Sequence, residues 1–254
     1  MDNNYRIRSV NRALKLLKCF SFEKNQLSLN ELSTMLDLNK STVHRLVKTL
    51  EEEDMLKKDP TSEVYSLGIA IFRLGNVYRD SLELRSVALP IMQALAALLG
   101  ETVILNVFSD FQKVTIEKVD GPQGLRPVIK VGQALPVHVG SSGKVILAFL
   151  DKTKIDEWFK KQEALQAFTE HTIVNKEVLK KELEQIRKIG YAVGFEEMNV
   201  GGAGVSAPIF NYSGKVIGGL AVIGPASGIK NFGTDKMGAA VVAAAKEISK
   251  LMYG

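Results

Sequence analysis

The sequence predicts an α+β protein in three parts: a winged helix-turn-helix over residues 1–68, a linker helix over 69–86, and a C-terminal domain over 87–254 with helices packed on an antiparallel sheet. Three observations predict it. Short helical segments followed by a basic hairpin open the chain, a periodic helical stretch follows, and β-branched runs separated by turns dominate after residue 101.

In the first part, Val10, Ala13, Leu14 and Leu17 recur at helical spacing, so a first helix runs from about Ser9 with these residues inward. Ser28-Leu29-Asn30-Glu31 has the capping-box pattern and opens a second helix with Leu32, Met35 and Leu36 inward. Leu38-Asn39 makes a tight turn, and a third helix follows from about Lys40 to Glu53. Residues 55–58 and 63–67 read as two strands around the turn Asp59-Pro60-Thr61-Ser62.

Residues 69–86 are helical, and Pro90 lies near the start of a helix that ends at Gly100. Strands are expected over 102–108, 113–119, 126–131, 191–197, 205–210 and 215–223, the last two joined at Ser213-Gly214. Helices are expected over 141–150, 175–189 (stopped by Gly190) and 235–252.

Bulk properties narrow the classes. With 254 residues, 46% hydrophobic and 24% charged, the chain has room for two ordinary globular domains. No apolar run reaches the roughly 18 residues a membrane span needs. The polar first twelve residues carry no signal-peptide core, and a single cysteine, Cys19, makes no internal disulfide. A cytoplasmic protein that does not engage membranes is the expectation. The net charge of +5 is compatible with nucleic acid without demanding it.

The arrangement of charge on the third helix says more. Val43, Leu46, Val47 and Leu50 form one apolar face, and Ser41, His44, Arg45 and Lys48 stand on another. Such a helix suits a major groove: Arg45 reaching a guanine edge, Lys40 and Lys48 neutralising phosphates, Ser41 and Thr42 bonding phosphate oxygens near the helix start. Lys57 and Lys58 on the wing are further phosphate contacts, and Arg8, Arg12 and Ser28 are further candidate DNA-binding residues. The acidic run 51–54 restricts groove contact to the N-terminal half of the helix. The bland alternative is a solvated face of an ordinary amphipathic helix, which the order capped helix, turn, cationic helix, basic hairpin argues against.

Chemistry-bearing residues are sparse. Three histidines, His44, His138 and His171, and one cysteine supply no metal-ligand spacing, and no Gly-x-Ser-x-Gly elbow is present. Ser142-Gly143-Lys144 lacks the Walker spacing. Ser141 near His138 has no evident orienting acid, so His138 reads as structural. Glu196 and Glu197, adjacent on an expected strand, point to opposite faces and make no carboxylate pair. No catalytic residue, metal or cofactor is expected.

Against these features stands a resemblance. Ser9-Val10-Asn11-Arg12-Ala13-Leu14, the segment Leu38 to Leu46 and Tyr65-Ser66-Leu67-Gly68 resemble the DNA-binding half of the IclR family of bacterial transcriptional regulators. So do Gly100-Glu101-Thr102, Pro136-Val137-His138, Ser142-Gly143-Lys144 with Leu147-Ala148, the segment Ile186 to Tyr191, Glu196-Glu197, Ala207-Pro208 and Ile223-Gly224-Pro225 in the second half. The match runs in order over almost the whole chain. The resemblance implies a GAF-like effector-binding domain and homodimers that often pair into tetramers. It implies a regulator, more commonly a repressor, that binds double-stranded operator DNA and answers to an organic acid or aromatic effector. By position it also implies effector contacts at Leu135, Ser141, Ser142, Gly194, Gly202, Gly204, Ala221 and Ile223.

The residues themselves support such a pocket. Gly140-Ser141-Ser142-Gly143 opens a helix whose free amides favour an anion, the Gly201–Gly204 run leaves room beside a strand, and residues 220–223 offer a smooth floor. Where some members of the family have polar side chains, this chain has Gly194, Gly204, Ala221 and Ile223. A roomier, more apolar pocket is expected, for a ligand larger than a two- or three-carbon acid, with a carboxylate held near Ser141 and Ser142. Two other readings stay open: a small-molecule-binding or enzymatic domain whose winged helix contacts protein, and a DNA-binding protein without an effector.

Overall fold

The computed structural model describes residues 7–122 and 128–252. The chain divides between Ser81 and Leu82 into two compact units.

The first unit contains α1 (Arg8–Leu17), α2 (Leu29–Leu36), α3 (Lys40–Glu52), the antiparallel pair β1 (Leu56–Lys58) and β2 (Tyr65–Leu67), and α4 (Ile69–Asp80). Its starts and stops follow local chemistry. Ser28 accepts from the Glu31 amide while Glu31 returns a bond to the Ser28 amide, a complete capping box. Asp37 takes the left-handed conformation that ends α2. Leu16, Leu27, Leu32, Val43, Val47, Leu56 and Tyr65 form the core. This corrects the expected faces of two helices. Val10 and Leu14 are exposed and Leu16 is the buried residue of α1, while Met35 of α2 is half exposed. The amphipathic pattern of α1 reports an uncovered apolar stripe rather than a core face.

The second unit opens with α5 (Glu83–Leu99), so the helical stretch expected over 69–86 is broken at Ser81-Leu82, and Pro90 sits at mid-helix rather than near its start. Gly100 ends α5 in the left-handed conformation. Then come β3 (Thr102–Ser109), β4 (Gln112–Val119), β5 (Ala134–Pro136), α6 (Gly140–Phe149), α7 (Lys152–Lys161), α8 (Lys176–Ile189), β6 (Ala192–Phe195), β7 (Gly202–Phe210), β8 (Val216–Pro225), α9 (Ala226–Phe232) and α10 (Thr234–Leu251). The six strands form one antiparallel sheet in the order β5-β4-β3-β8-β7-β6.

Strand alternation sorts this sheet into two faces. Val103, Leu105, Val205, Ala207, Ile209, Leu220 and Val222 pack against α5 and α10. The opposite face is covered in part by α6, with α8 packed behind it. Of the strand expected over 126–131, residues 128–131 are not extended in the sheet and 126–127 lie outside the described residues; β5, shorter and later, is the edge strand. Helices α7 and α9 have no counterpart in the sequence expectation; α9 is seven residues long. Glu196 and Glu197 follow β6 rather than lying on it, because Glu196 adopts a left-handed backbone (φ 56°) that turns the chain away.

Candidate functional site

On the first unit, α3 presents the cationic face the sequence predicts. Val43 and Val47 anchor it to the core, leaving Lys40, Ser41, His44, Arg45 and Lys48 exposed. The N-cap residue Asn39 accepts from the Thr42 amide at 2.9 Å and the Ser41 hydroxyl at 3.0 Å. The first turn is therefore held rigid, and half-buried Thr42 supports the helix start. Arg8 and Arg12 are exposed on α1. Ser28 is committed to its capping box, its hydroxyl donating to Glu31 Oε2 at 2.7 Å. On the wing, Lys57 is exposed, whereas Lys58 Nζ lies 2.8 Å from Glu63 Oε1 and 6.0 Å from the Tyr65 ring centroid. Lys58 braces the hairpin, and Lys57 is exposed on it.

On the second unit, a cavity of about 600 Å³ opens on the α6 side of the sheet. Ile104, Asn106, Lys113 and Thr115 line it from β3 and β4, Leu135 from β5, and Gly140, Ser141 and Ser142 from the start of α6. Gly194, Gly202, Gly204 and Ile223 come from β6, β7 and β8, while Val128, Ile129 and Val200 complete an apolar wall. The structure thus brings together seven of the eight expected residues. Ala221 does not line the cavity: paired with Ile104 and Ser206 and two residues from Ile223, it shares the cavity-side face of the sheet but is fully buried there, beside the Ser206–Ser141 bond.

The α6 N-terminus is tied down from several directions. Its preceding residue Val139 supplies no side-chain cap. Instead Glu197 Oε2 accepts from the Gly140 amide at 3.0 Å, and Glu197 Oε1 pairs with Lys144 Nζ at 2.5 Å. Lys144, almost fully buried, also meets Glu182 at 3.1 Å and the Val193 carbonyl at 3.3 Å. Ser206 Oγ and Ser141 Oγ share a buried bond of 2.7 Å. A Cβ at Gly194 would stand 2.9 Å from the Ser141 amide nitrogen, and one at Gly204 would stand 2.8 Å from Ser141 Oγ. These glycines admit the close approach of α6 to the sheet; the space their missing side chains leave is already filled by Ser141. The cavity's room comes instead from the uncovered stretch of sheet beside β4.

Lys113 is the polar residue that sequence reasoning missed. It is 7% exposed, and its ammonium donates to the Val139 carbonyl at 2.6 Å and Ser142 Oγ at 3.1 Å. Burial pushes its pKa down to about 8, with attraction from Glu197 opposing and repulsion from Lys144 adding. Beside it Thr115 Oγ1 donates to Asn106 Oδ1 at 2.9 Å, leaving the buried Asn106 Nδ2 without a partner among the described residues. His138 packs on Trp158 with ring centroids 6.2 Å apart, and its Nε2 donates to the Gln166 carbonyl at 3.0 Å. Burial is the main cause that lowers its pKa. Because Ser141 bonds Ser206 and His138 bonds Gln166, the two make no nucleophile–base pair. His171 is half exposed beside Glu196. Among the described residues no group of His, Cys, Asp and Glu is placed to hold a metal ion, and no single helix is long and apolar enough to cross a membrane.

A rigid helix-turn-helix with an exposed cationic helix, joined in one chain to a unit holding a ligand-sized cavity, defines a DNA-binding regulator with a ligand-binding domain. Residues 9–60 match the IclR helix-turn-helix domain, and residues 76–250 match the bacterial transcriptional regulator IclR C-terminal domain. The chain is 31% identical over 217 residues to the HTH-type transcriptional regulator KipR of Bacillus subtilis, covering 85% of this chain and 86% of that protein. It is 30% identical over 250 residues to the transcriptional repressor IclR of Escherichia coli, covering 98% and 90%. Among solved structures, an IclR transcriptional regulator from Alicyclobacillus acidocaldarius superposes with a TM-score of 0.85 at 30% identity, covering 98% of this chain and all of that one. An IclR homologue from Microbacterium hydrocarbonoxydans complexed with 4-hydroxybenzoate has the same fold, with a TM-score of 0.80 at 23% identity and coverage of 96% and 98%. The chain belongs to the IclR family of bacterial transcriptional regulators: a DNA-binding protein with a C-terminal ligand-binding domain.

Proposed function

We propose that this regulator is a cytoplasmic repressor that binds a pseudo-palindromic operator as a homodimer or a pair of homodimers and is controlled by an organic acid or aromatic effector. It carries out no catalysis. The cavity carries the reading: about 600 Å³, mostly apolar walls and a few convergent polar groups fall in the range of small-molecule sites. That volume favours a ligand larger than a two- or three-carbon acid. In this reading residues 1–68 read DNA, 69–86 link, and 87–254 bind the effector through Leu135, Ser141, Ser142, Gly194, Gly202, Gly204 and Ile223.

On the DNA side, Arg45 reads a base edge, Lys40, Lys48, Lys57, Ser41 and Thr42 meet phosphates, and His44 lies on the same DNA-facing side of α3. Dimerisation is supported by apolar side chains left exposed on the first unit, Ile7, Val10 and Leu14 on or beside α1 and Ile69, Phe72 and Val77 on α4. Two linked recognition helices gain affinity through effective concentration. The effector acts only by binding one arrangement of the DNA-reading parts better than the other.

The test is recovery and sequencing of genomic DNA bound by the purified protein, repeated with Arg45→Ala and with an effector panel. Sharp peaks lost in Arg45→Ala and shifted by a panel compound support the reading. Uniform or absent recovery from both proteins, with and without the panel, overturns it in favour of a winged helix that contacts protein. Light scattering that returns a monomer at operator-binding concentrations overturns the dimer.

A further inference from the structure

An ammonium taken out of water is costly unless an opposite charge accompanies it. Lys113 is such a group. No carboxylate lies within salt-bridge distance of its Nζ among the described residues, and its two acceptors, the Val139 carbonyl and Ser142 Oγ, are neutral. The other buried lysine, Lys144, shows the contrast. It has two carboxylates, and one of them, Glu197, is used up on Lys144 and the Gly140 amide. An ammonium has three donors, so one N–H of Lys113 is left over. On the same sheet face, Asn106 Nδ2 is a second buried donor with no acceptor among the described residues. Both residues line the cavity.

We propose that Lys113, assisted by Asn106, is the anchor and specificity determinant for a monocarboxylate effector, with the acid's apolar body against Ile104, Val128, Ile129 and Ile223. The proposal rests on the effector reading above and deepens it. Charge sets the class. One ammonium balances one negative charge, and Glu196 and Glu197 also border the cavity, so a phosphate dianion would leave unneutralised charge there. A neutral ligand can accept from both donors but leaves the charge of the buried ammonium unbalanced. The carboxylate also falls where the α6 dipole and the amides of Ser141 and Ser142 favour an anion. The serines then hold the orientation, and the formal charge that recognises the acid comes from β4.

The experiment is calorimetric titration of the full chain with hexanoate, benzoate and cinnamate, their primary amides, and phenyl phosphate, in wild type, Lys113→Met and Lys113→Arg. Lys113→Met keeps the apolar stem, and melting curves report that each variant is folded. The wild type is expected to bind at least one acid about 30-fold or more tightly than its amide, the size of a buried charge-assisted hydrogen bond. Lys113→Met is expected to lose that preference while holding the amide's affinity, and Lys113→Arg to restore part of it. An acid preference that survives in Lys113→Met, or phenyl phosphate bound more tightly than benzoate, overturns the anchor and leaves the effector reading standing. Failure of folded wild type to bind any acid or amide of the panel overturns the anchor as well and counts against an effector in this cavity.

Discussion

Lys144 Nζ and Glu197 Oε1 lie 2.5 Å apart with both side chains almost fully buried, and the second oxygen of that carboxylate accepts from the Gly140 amide. The pair staples α6 to the segment after β6, and so fixes one wall of the cavity. Glu197→Ala leaves buried Lys144 with Glu182 alone, 3.1 Å away and partly exposed, and takes the acceptor from the Gly140 amide, so it is expected to cost about 3 kcal/mol, the low end for breaking a buried pair. Urea denaturation followed in the second unit measures it. Lys144→Met combined with Glu197→Leu removes both charges and is expected to recover a good part of the loss. A single variant as stable as wild type would show that the pair contributes nothing.

Lys113 gives the free protein a distinctive pH profile. Its pKa falls from an ordinary 10.5 to about 8 in the fold, chiefly through burial. Below about 8 the lysine is charged in both states and the burial penalty is fully present, on the order of 3 kcal/mol. Between about 8 and 10.5 the unfolded chain binds more protons than the native one, so stability rises with pH relative to Lys113→Met. Above that window the difference is gone. Facing groups are Glu197, Lys144 with its partner Glu182, and His138, whose own pKa is held down mainly by burial, so His138 is neutral across the window. Bound carboxylate restores the charged lysine, so acid affinity is expected to fall as pH rises through about 8, with proton uptake on binding in calorimetry. A pH-independent affinity from 7 to 10 contradicts this.

Gly194 holds the sheet and α6 at a spacing no side chain permits. A Cβ there meets the Ser141 amide nitrogen at 2.9 Å and Glu197 Oε1 at 3.0 Å, and the first of these is backbone with little freedom to yield. Gly194→Ala is expected to push α6 outward, destabilise the second unit by about 1–3 kcal/mol, and weaken ligand binding more than tenfold. Gly201→Ala is a useful contrast: its added Cβ meets no atom, so its cost is the strain of a positive φ alone.

The capped helix boundaries, the hairpin of the wing and most of the sheet were legible because caps, turns and strand alternation are local signals; the break between α4 and α5 and the helices α7 and α9 were not. The α6 turn and the glycines of β6 and β7 were legible as a site through the family pattern. Lys113 was not. On β4 the alternation Lys113, Thr115, Glu117 reads as the solvated face of a half-buried strand, since antiparallel sheets commonly have one. The start of α6 covers that face at Lys113, a tertiary contact between residues 26 or more apart that no local pattern records. The same limit explains α1. An apolar stripe at Val10 and Leu14 looks identical whether the chain's own core or another surface covers it. Position puts Ala221 in the pocket, and the register does set it on the cavity-side face, but it is fully buried there beside the Ser206–Ser141 bond, a tertiary contact that position does not record.

The cationic residues of the first unit should separate by role when DNA binding is measured against salt. Arg45 is exposed at mid-helix on α3, so Arg45→Ala is expected to cost about 1–3 kcal/mol on the specific operator and to leave nonspecific binding nearly unchanged. Lys57 is exposed on the wing and touches no base in this reading. Lys57→Ala should weaken specific and nonspecific binding alike and reduce the slope of log affinity against log salt by about one. Lys58 is held by Glu63 and the Tyr65 ring. Lys58→Ala should therefore leave the salt slope close to wild type and show a small effect in the stability of the first unit. A salt slope that falls by one in Lys58→Ala but not in Lys57→Ala would mean that the Lys58–Glu63 pair opens on DNA, and the roles of the two wing lysines would be exchanged.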